Sequence, residues 1–235
     1  MFTSNRMTAF RMACCSAVTA ALLSSTTLAL TVPFTEDYAA GSAQWFIDST
    51  GTTAPTHLMS GGPDGGSFIS RTQNFINVLP TDTPILFRGQ AAFGSSNGAF
   101  VGDWLASDVT ELSAWVRHDG SSRLNFFVRL APAGGPGVVG ISQLVSAGEW
   151  TKITFPMLST GFINEGPPGS TFFNSVISHI GNVQFGALPG SMTGVDQLVN
   201  FDIDKVSIVP EPATLMLLGA GGLVLARRGR KGSRS

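Results

Sequence analysis

Leu112-Ser113-Ala114-Trp115-Val116-Arg117, then His118-Asp119-Gly120-Ser121-Ser122, then Arg123-Leu124-Asn125-Phe126-Phe127-Val128-Arg129-Leu130 is the stretch that decides the fold class. On each side of the polar interruption, apolar and polar residues alternate with the period of a strand and not of a helix. Asp119-Gly120 tolerates the dihedrals of a tight turn, so the two runs are expected to pair as a hairpin.

The same signal recurs outward along the chain. Runs rich in β-branched and aromatic residues, or alternating, occur at Ser67 to Arg71, Ile85 to Phe93, Val138 to Val145, Glu149 to Phe155, Ile180 to Ala187 and Phe201 to Val209. Gly, Pro, Asn and Ser fill the gaps. A second pairing is expected between Val138–Val145 and Trp150–Phe155 through Ser146-Ala147-Gly148. No fixed repeat and no long helical pattern interrupts this series. The expected class is all-β, a two-sheet antiparallel sandwich and not an α/β fold. In the closing run Phe201 and Ile203 share one parity and Val206 and Ile208 the other, so a bulge is expected around Asp204-Lys205.

The two ends are of a different kind. Arg6 and Arg11 precede an apolar stretch from Met12 to Leu23 and then Thr27-Leu28-Ala29, the pattern of a signal peptide over 1–29 with its apolar helix. The β-domain is expected over 30–208 and a sorting segment over 209–235. Cys14 and Cys15, the only cysteines, lie in the leader, so the mature domain must be stable without disulfides. Residues 30–209 carry 14 acidic and 7 basic side chains, a formal charge of −7. That balance argues against nucleic acid as a partner, because phosphate neutralisation needs Lys and Arg.

At the other end Val209-Pro210-Glu211-Pro212-Ala213-Thr214 leads into an uncharged run ending at Ala226, followed by Arg227, Arg228, Arg230 and Lys231. As a C-terminal hydrophobic helix, Ala213 to Ala226 would reach roughly 21 Å against a hydrocarbon core of about 30 Å. Three glycines weaken it, and the basic cluster stays on the cytoplasmic side. A transient stop-transfer element fits better than a permanent anchor. Pro210 and Pro212 remove backbone donors and favour an extended peptide that a processing enzyme can read.

This tail resembles a PEP-CTERM sorting signal. The resemblance implies processing by an exosortase-type sorting enzyme in a Gram-negative bacterium that makes extracellular polysaccharide, with Pro210, Glu211 and Pro212 as recognition residues. It further implies transient insertion in the inner membrane and a final place at the cell surface or in the matrix. The alternative is an ordinary C-terminal membrane anchor.

The body carries phrases similar to the galactose-binding-like jelly roll of many carbohydrate-binding modules: Phe34-Thr35-Glu36-Asp37, Asp108 to Arg117, Glu149 to Pro156 and Asn200 to Ile208. That resemblance implies a non-catalytic sugar-binding or adhesive domain whose first and last strands pair. Glu36 or Asp37 would then approach Asp202 or Asp204, an oxygen-rich junction suited to structural calcium; solvated strand-edge carboxylates are the alternative. Most of the tryptophans are expected in the core, Trp115 and Trp150 by their place in alternating strands, and Trp104, which precedes a loop, is the candidate for glycan stacking if exposed. His57, His118 and His179 lack metal-ligand spacing, and Gly61-Gly62-Pro63-Asp64-Gly65-Gly66 lacks the Lys-Ser/Thr of a phosphate loop and reads as a turn. The expected function is an exported adhesive or glycan-contacting protein that is not an enzyme. The alternatives are a ligand-free structural matrix protein and a hydrolase or lyase acting on polysaccharide.

Overall fold

The computed structural model describes residues 30–79 and 81–210. The expected signal helix and C-terminal hydrophobic helix lie outside them. In chain order the strands are β1 (Phe34–Glu36), β2 (Thr56–Leu58), β3 (Phe68–Asn74), β4 (Ile85–Gln90), β5 (Val109–His118), β6 (Leu124–Ala131), β7 (Val138–Val145), β8 (Thr151–Pro156) and β9 (Phe162–Asn164). A short helix α1 (Ser170–Ile177) precedes β10 (Asn182–Ala187) and the long closing strand β11 (Leu198–Pro210).

These strands form two antiparallel sheets packed face to face, the expected sandwich. The larger sheet has the order β2-β3-β11-β5-β8, with β1 also on β11, and the smaller one β4-β10-β6-β7-β9. First and last strands do pair, Phe34 opposite Ile208 and Glu36 opposite Val206. The bulge also falls where parity places it: pairing with β5 slips between Asp204 and Ser207, and Lys205 takes a left-handed φ of 47°. As a result Phe201, Ile203, Val206 and Ile208 are all fully buried despite their mixed parity.

Both expected hairpins are corrected. β5 pairs with β11 and β8, whereas β6 pairs with β10 and β7. The link through Asp119-Gly120 therefore arches from one sheet to the other. β7 and β8 likewise lie in different sheets, and β7 pairs with β6 instead. The physical reason is that both runs carry a full apolar face. Leu112, Ala114 and Val116 of β5 and Phe126, Val128 and Leu130 of β6 are at most 1% exposed. Facing each other across the core buries both sets more completely than side-by-side pairing, at about 1.5–3 kcal/mol per large apolar side chain.

Aromatic rings fill the rest of the core. Trp45 stacks on Phe185 with centroids 6.2 Å apart and donates its indole N–H to Ser96 Oγ at 2.9 Å. Gly89 makes room for it, since a Cβ there would lie 2.7 Å from the ring. The helix α1 is a feature that alternation did not anticipate. Its buried Phe173, Val176 and Ile177 follow helical spacing, and Phe173 packs on Phe162 of β9 at 5.3 Å.

Candidate functional site

The outer face of the larger sheet carries side chains of one parity from five strands. Register places Arg117 beside Asp202, Asp202 beside Ser70, and Trp115 between Asp204 and Lys152. Arg117 Nε donates to Asp202 Oδ2 at 2.8 Å, and its guanidinium lies 4.7 Å from the Trp150 ring and 5.2 Å from Phe68. Phe68 and Trp150 meet edge to face at 5.3 Å, and the Trp150 indole N–H donates to the Gly61 carbonyl at 2.8 Å. A cation held over an indole and already paired with a carboxylate is a rigid, two-sided polar fixture.

Beside this fixture a depression of about 510 Å³ opens among Leu58, Phe68, Arg117, Asp119, Asn200 and Asp202. Its polar floor is preset. Asp119 accepts from Asn200 through both oxygens, from the backbone N–H at 2.7 Å and the side-chain amide at 2.6 Å. Asn200 Oδ1 in turn accepts from Thr72 Oγ1 at 2.7 Å. Leu58, 38% exposed, supplies an apolar rim. Planar amide, carboxylate and guanidinium groups beside apolar surface can bind vicinal hydroxyls while packing against a sugar's C–H face.

His118 stands under this floor, buried, with Nδ1 accepting the Gly120 N–H at 3.2 Å and Nε2 lying 3.1 Å from the Val145 carbonyl. That pair of partners fixes the neutral ring with its proton on Nε2. Burial holds its pKa below the ordinary imidazole value. Both ring nitrogens are thereby engaged in holding the arch.

The tryptophans correct the expectation for Trp115 and Trp150 and remove Trp104 as the glycan candidate. Trp104 is fully buried, donates to the Phe100 carbonyl at 2.9 Å and belongs to the core, so it cannot stack on a glycan. Trp115 and Trp150 are half-buried on the outer face. The loop Gly61–Gly66 is the expected turn, and it also folds over that face. Lys205 Nζ donates to Asp64 at 2.6 Å, and a Cβ on Gly62 would lie 2.9 Å from Asp204 Oδ2.

The four expected metal ligands are not assembled as one set. Asp202 is committed to Arg117. Glu36 and Asp37 each accept a local backbone N–H, from Tyr38 and Ala39, both at 3.1 Å. Asp204, 1% exposed, accepts from Lys205 N at 2.7 Å. Burial, opposed by that hydrogen bond and reinforced by Asp64, pushes its pKa up to about 7. Among the described residues no three His, Cys, Asp or Glu side chains are grouped to hold one ion.

At its far end β11 runs to Pro210, two residues into the segment expected beyond the domain. Pro210 thus belongs to a strand, while Glu211, Pro212 and the basic cluster Arg227, Arg228, Arg230 and Lys231 lie outside the described residues. Among the described residues no helix is long and apolar enough to cross a membrane.

Residues 209–231 match the PEP-CTERM protein-sorting motif. No curated protein matches the chain. Solved structures offer distant likenesses to the sandwich. Xylanase 10B modules of Clostridium thermocellum, solved with xylohexaose, are 16% identical over 76% of this chain and 28% of that one, with a TM-score of 0.44. A family 30 carbohydrate-binding module from a cellulosomal cellulase of the same organism is 10% identical over 77% of this chain and 92% of its own, at 0.41. An exo-beta-agarase is 10% identical over 75% of this chain and 24% of its own, at 0.48. The chain thus spans about a quarter of the xylanase and agarase chains. What the tail match gives is a destination: this is an exported protein with a C-terminal sorting signal, which implies an exosortase as its partner.

Proposed function

We propose that this protein is a non-catalytic surface or matrix component whose sandwich contacts extracellular polysaccharide through the depression beside Arg117, while its tail is inserted only transiently in the inner membrane. The observation that carries the reading is the preset polar floor of Asp119 and Asn200 beside exposed Leu58 and the stacked Arg117–Trp150 pair. Such a floor costs little to order on binding, which favours weak, repeated contacts along a polymer. Adhesion within the matrix follows from many such contacts.

Retention of the protein on the host's extracellular polymer tests this. Leu58→Ala/Asn200→Ala should lower retention about tenfold, the loss of roughly 1.4 kcal/mol, while leaving the fold intact. Equal retention of both forms would overturn the site. A second reading, a structural matrix protein without ligand, draws support from the fact that Arg117 and Trp150 already satisfy each other and their neighbours. It predicts no saturable binding to any polymer fraction. Release of reducing ends from the polymer would instead favour a hydrolase or lyase.

A further inference from the structure

The closing strand and the sorting signal share residues. β11 extends from Leu198 to Pro210, and the matched signal starts at Val209. Pairing with β1 stops at Ile208, so among the described residues no strand pairs with Val209 and Pro210 along that edge. On the other edge Val209 pairs with Glu111 and Pro210 with Val109, across a slip in register. Val209 and Pro210 are half-buried, whereas Ile208 is fully buried and paired on both edges. The strand therefore changes from doubly to singly held at one peptide bond.

Processing enzymes take peptide substrates extended, usually through backbone hydrogen bonds along an open edge. At Val209-Pro210 the edge toward β5 is already occupied. In the sequence only Glu211, Pro212, Ala213 and Thr214 separate β11 from the apolar run that starts at Leu215, at most about 14 Å of chain. A membrane enzyme reading this signal meets the end of the sandwich directly.

We propose that Val209 and Pro210 form a release joint: the sorting enzyme reads Val209-Pro210-Glu211-Pro212 after these two residues have unpaired from β5, and doubly paired Ile208 stops the opening. The inference rests on the sorting reading of the tail. The test uses the full chain in a host that carries the enzyme, with intact mass reporting loss of the C-terminal segment. Glu111→Cys/Val209→Cys would staple the joint, and the domain has no other cysteine to compete.

The stapled chain should lose its tail at least about tenfold more slowly than either single variant, and thiol reduction should restore the rate. Equal rates for stapled and single variants would overturn the joint. A Gly-Ser-Gly-Ser insertion between Ile208 and Val209, which does not depend on a staple forming, should speed processing several-fold; an unchanged rate would contradict the proposal. Failure of the sorting reading looks different, because the natural chain and Pro210→Ala/Glu211→Ala/Pro212→Ala would then keep their tails alike.

Discussion

Asp204 is the residue whose surroundings most oppose its usual state. It is 1% exposed beneath the Gly61–Gly66 loop, and its pKa stands at about 7 against an ordinary 3.8. The folded state therefore holds a proton that the unfolded chain releases between these values, so this group's contribution favours folding at low pH and is lost as pH rises toward 7. Asp204→Asn keeps an acceptor for Lys205 N and should stabilise the protein by about 1–2 kcal/mol at pH 8 with little change at pH 4, measured by urea unfolding. His118 works in the other direction. Its lowered pKa means stability falls as pH drops below the ordinary imidazole range, so His118→Gln should flatten the acid side of the stability profile. Trp104 is a plainer case: removal to Ala in a fully buried site should cost about 3–5 kcal/mol. At this scale parity alone is enough to place two of the tryptophans. Trp115 shares parity with Glu111 and Arg117, and Trp150 with Lys152 and Thr154, so both could be placed on the outer face from sequence. Trp104 follows Gly102-Asp103 outside any alternation, and only tertiary packing buries it.

Among the elements, the sequence marked where strands are and much less which strands meet. The bulge at Asp204-Lys205 was legible because two apolar parities in one strand cannot face one core without a slip. The partner of β5 was not legible, since Asp119-Gly120 suits an arch between sheets as well as a hairpin within one. The corrected pairing has a direct check. Ser113 lies opposite Thr154 across β5 and β8, so Ser113→Cys/Thr154→Cys should form a disulfide, whereas a hairpin of β5 with β6 would leave these thiols apart. The arch itself is tied down by Asp119, which accepts two hydrogen bonds from Asn200. Asp119→Ala should destabilise the domain by about 1–3 kcal/mol in thermal or denaturant melts. The depression drew its residues from β2, β3, β5, the arch and β11, and no local spacing announces such a set.

Across the whole molecule β11 links the two functional ends. Asn200 and Asp202 lie at the depression, and Pro210 lies roughly 25 Å further along the same strand, at about 3.3 Å per residue. β1 enters at the Pro210 end, with Phe34 opposite Ile208. Both ends of the described chain therefore lie near the Pro210 end of β11, and the depression lies near its other end. The destination was readable because a sorting signal is linear: an extended Pro-Glu-Pro peptide, an apolar run and a basic end stand in order in the sequence. A ligand site made of side chains from distant strands has no such linear form. The most direct measurement is the intact mass of the protein recovered from its host, natural chain beside Pro210→Ala/Glu211→Ala/Pro212→Ala. Sorting through the tail predicts a natural chain shortened at its C-terminus and a variant that keeps its full tail in the membrane fraction; a full-length tail on both would rule such sorting out.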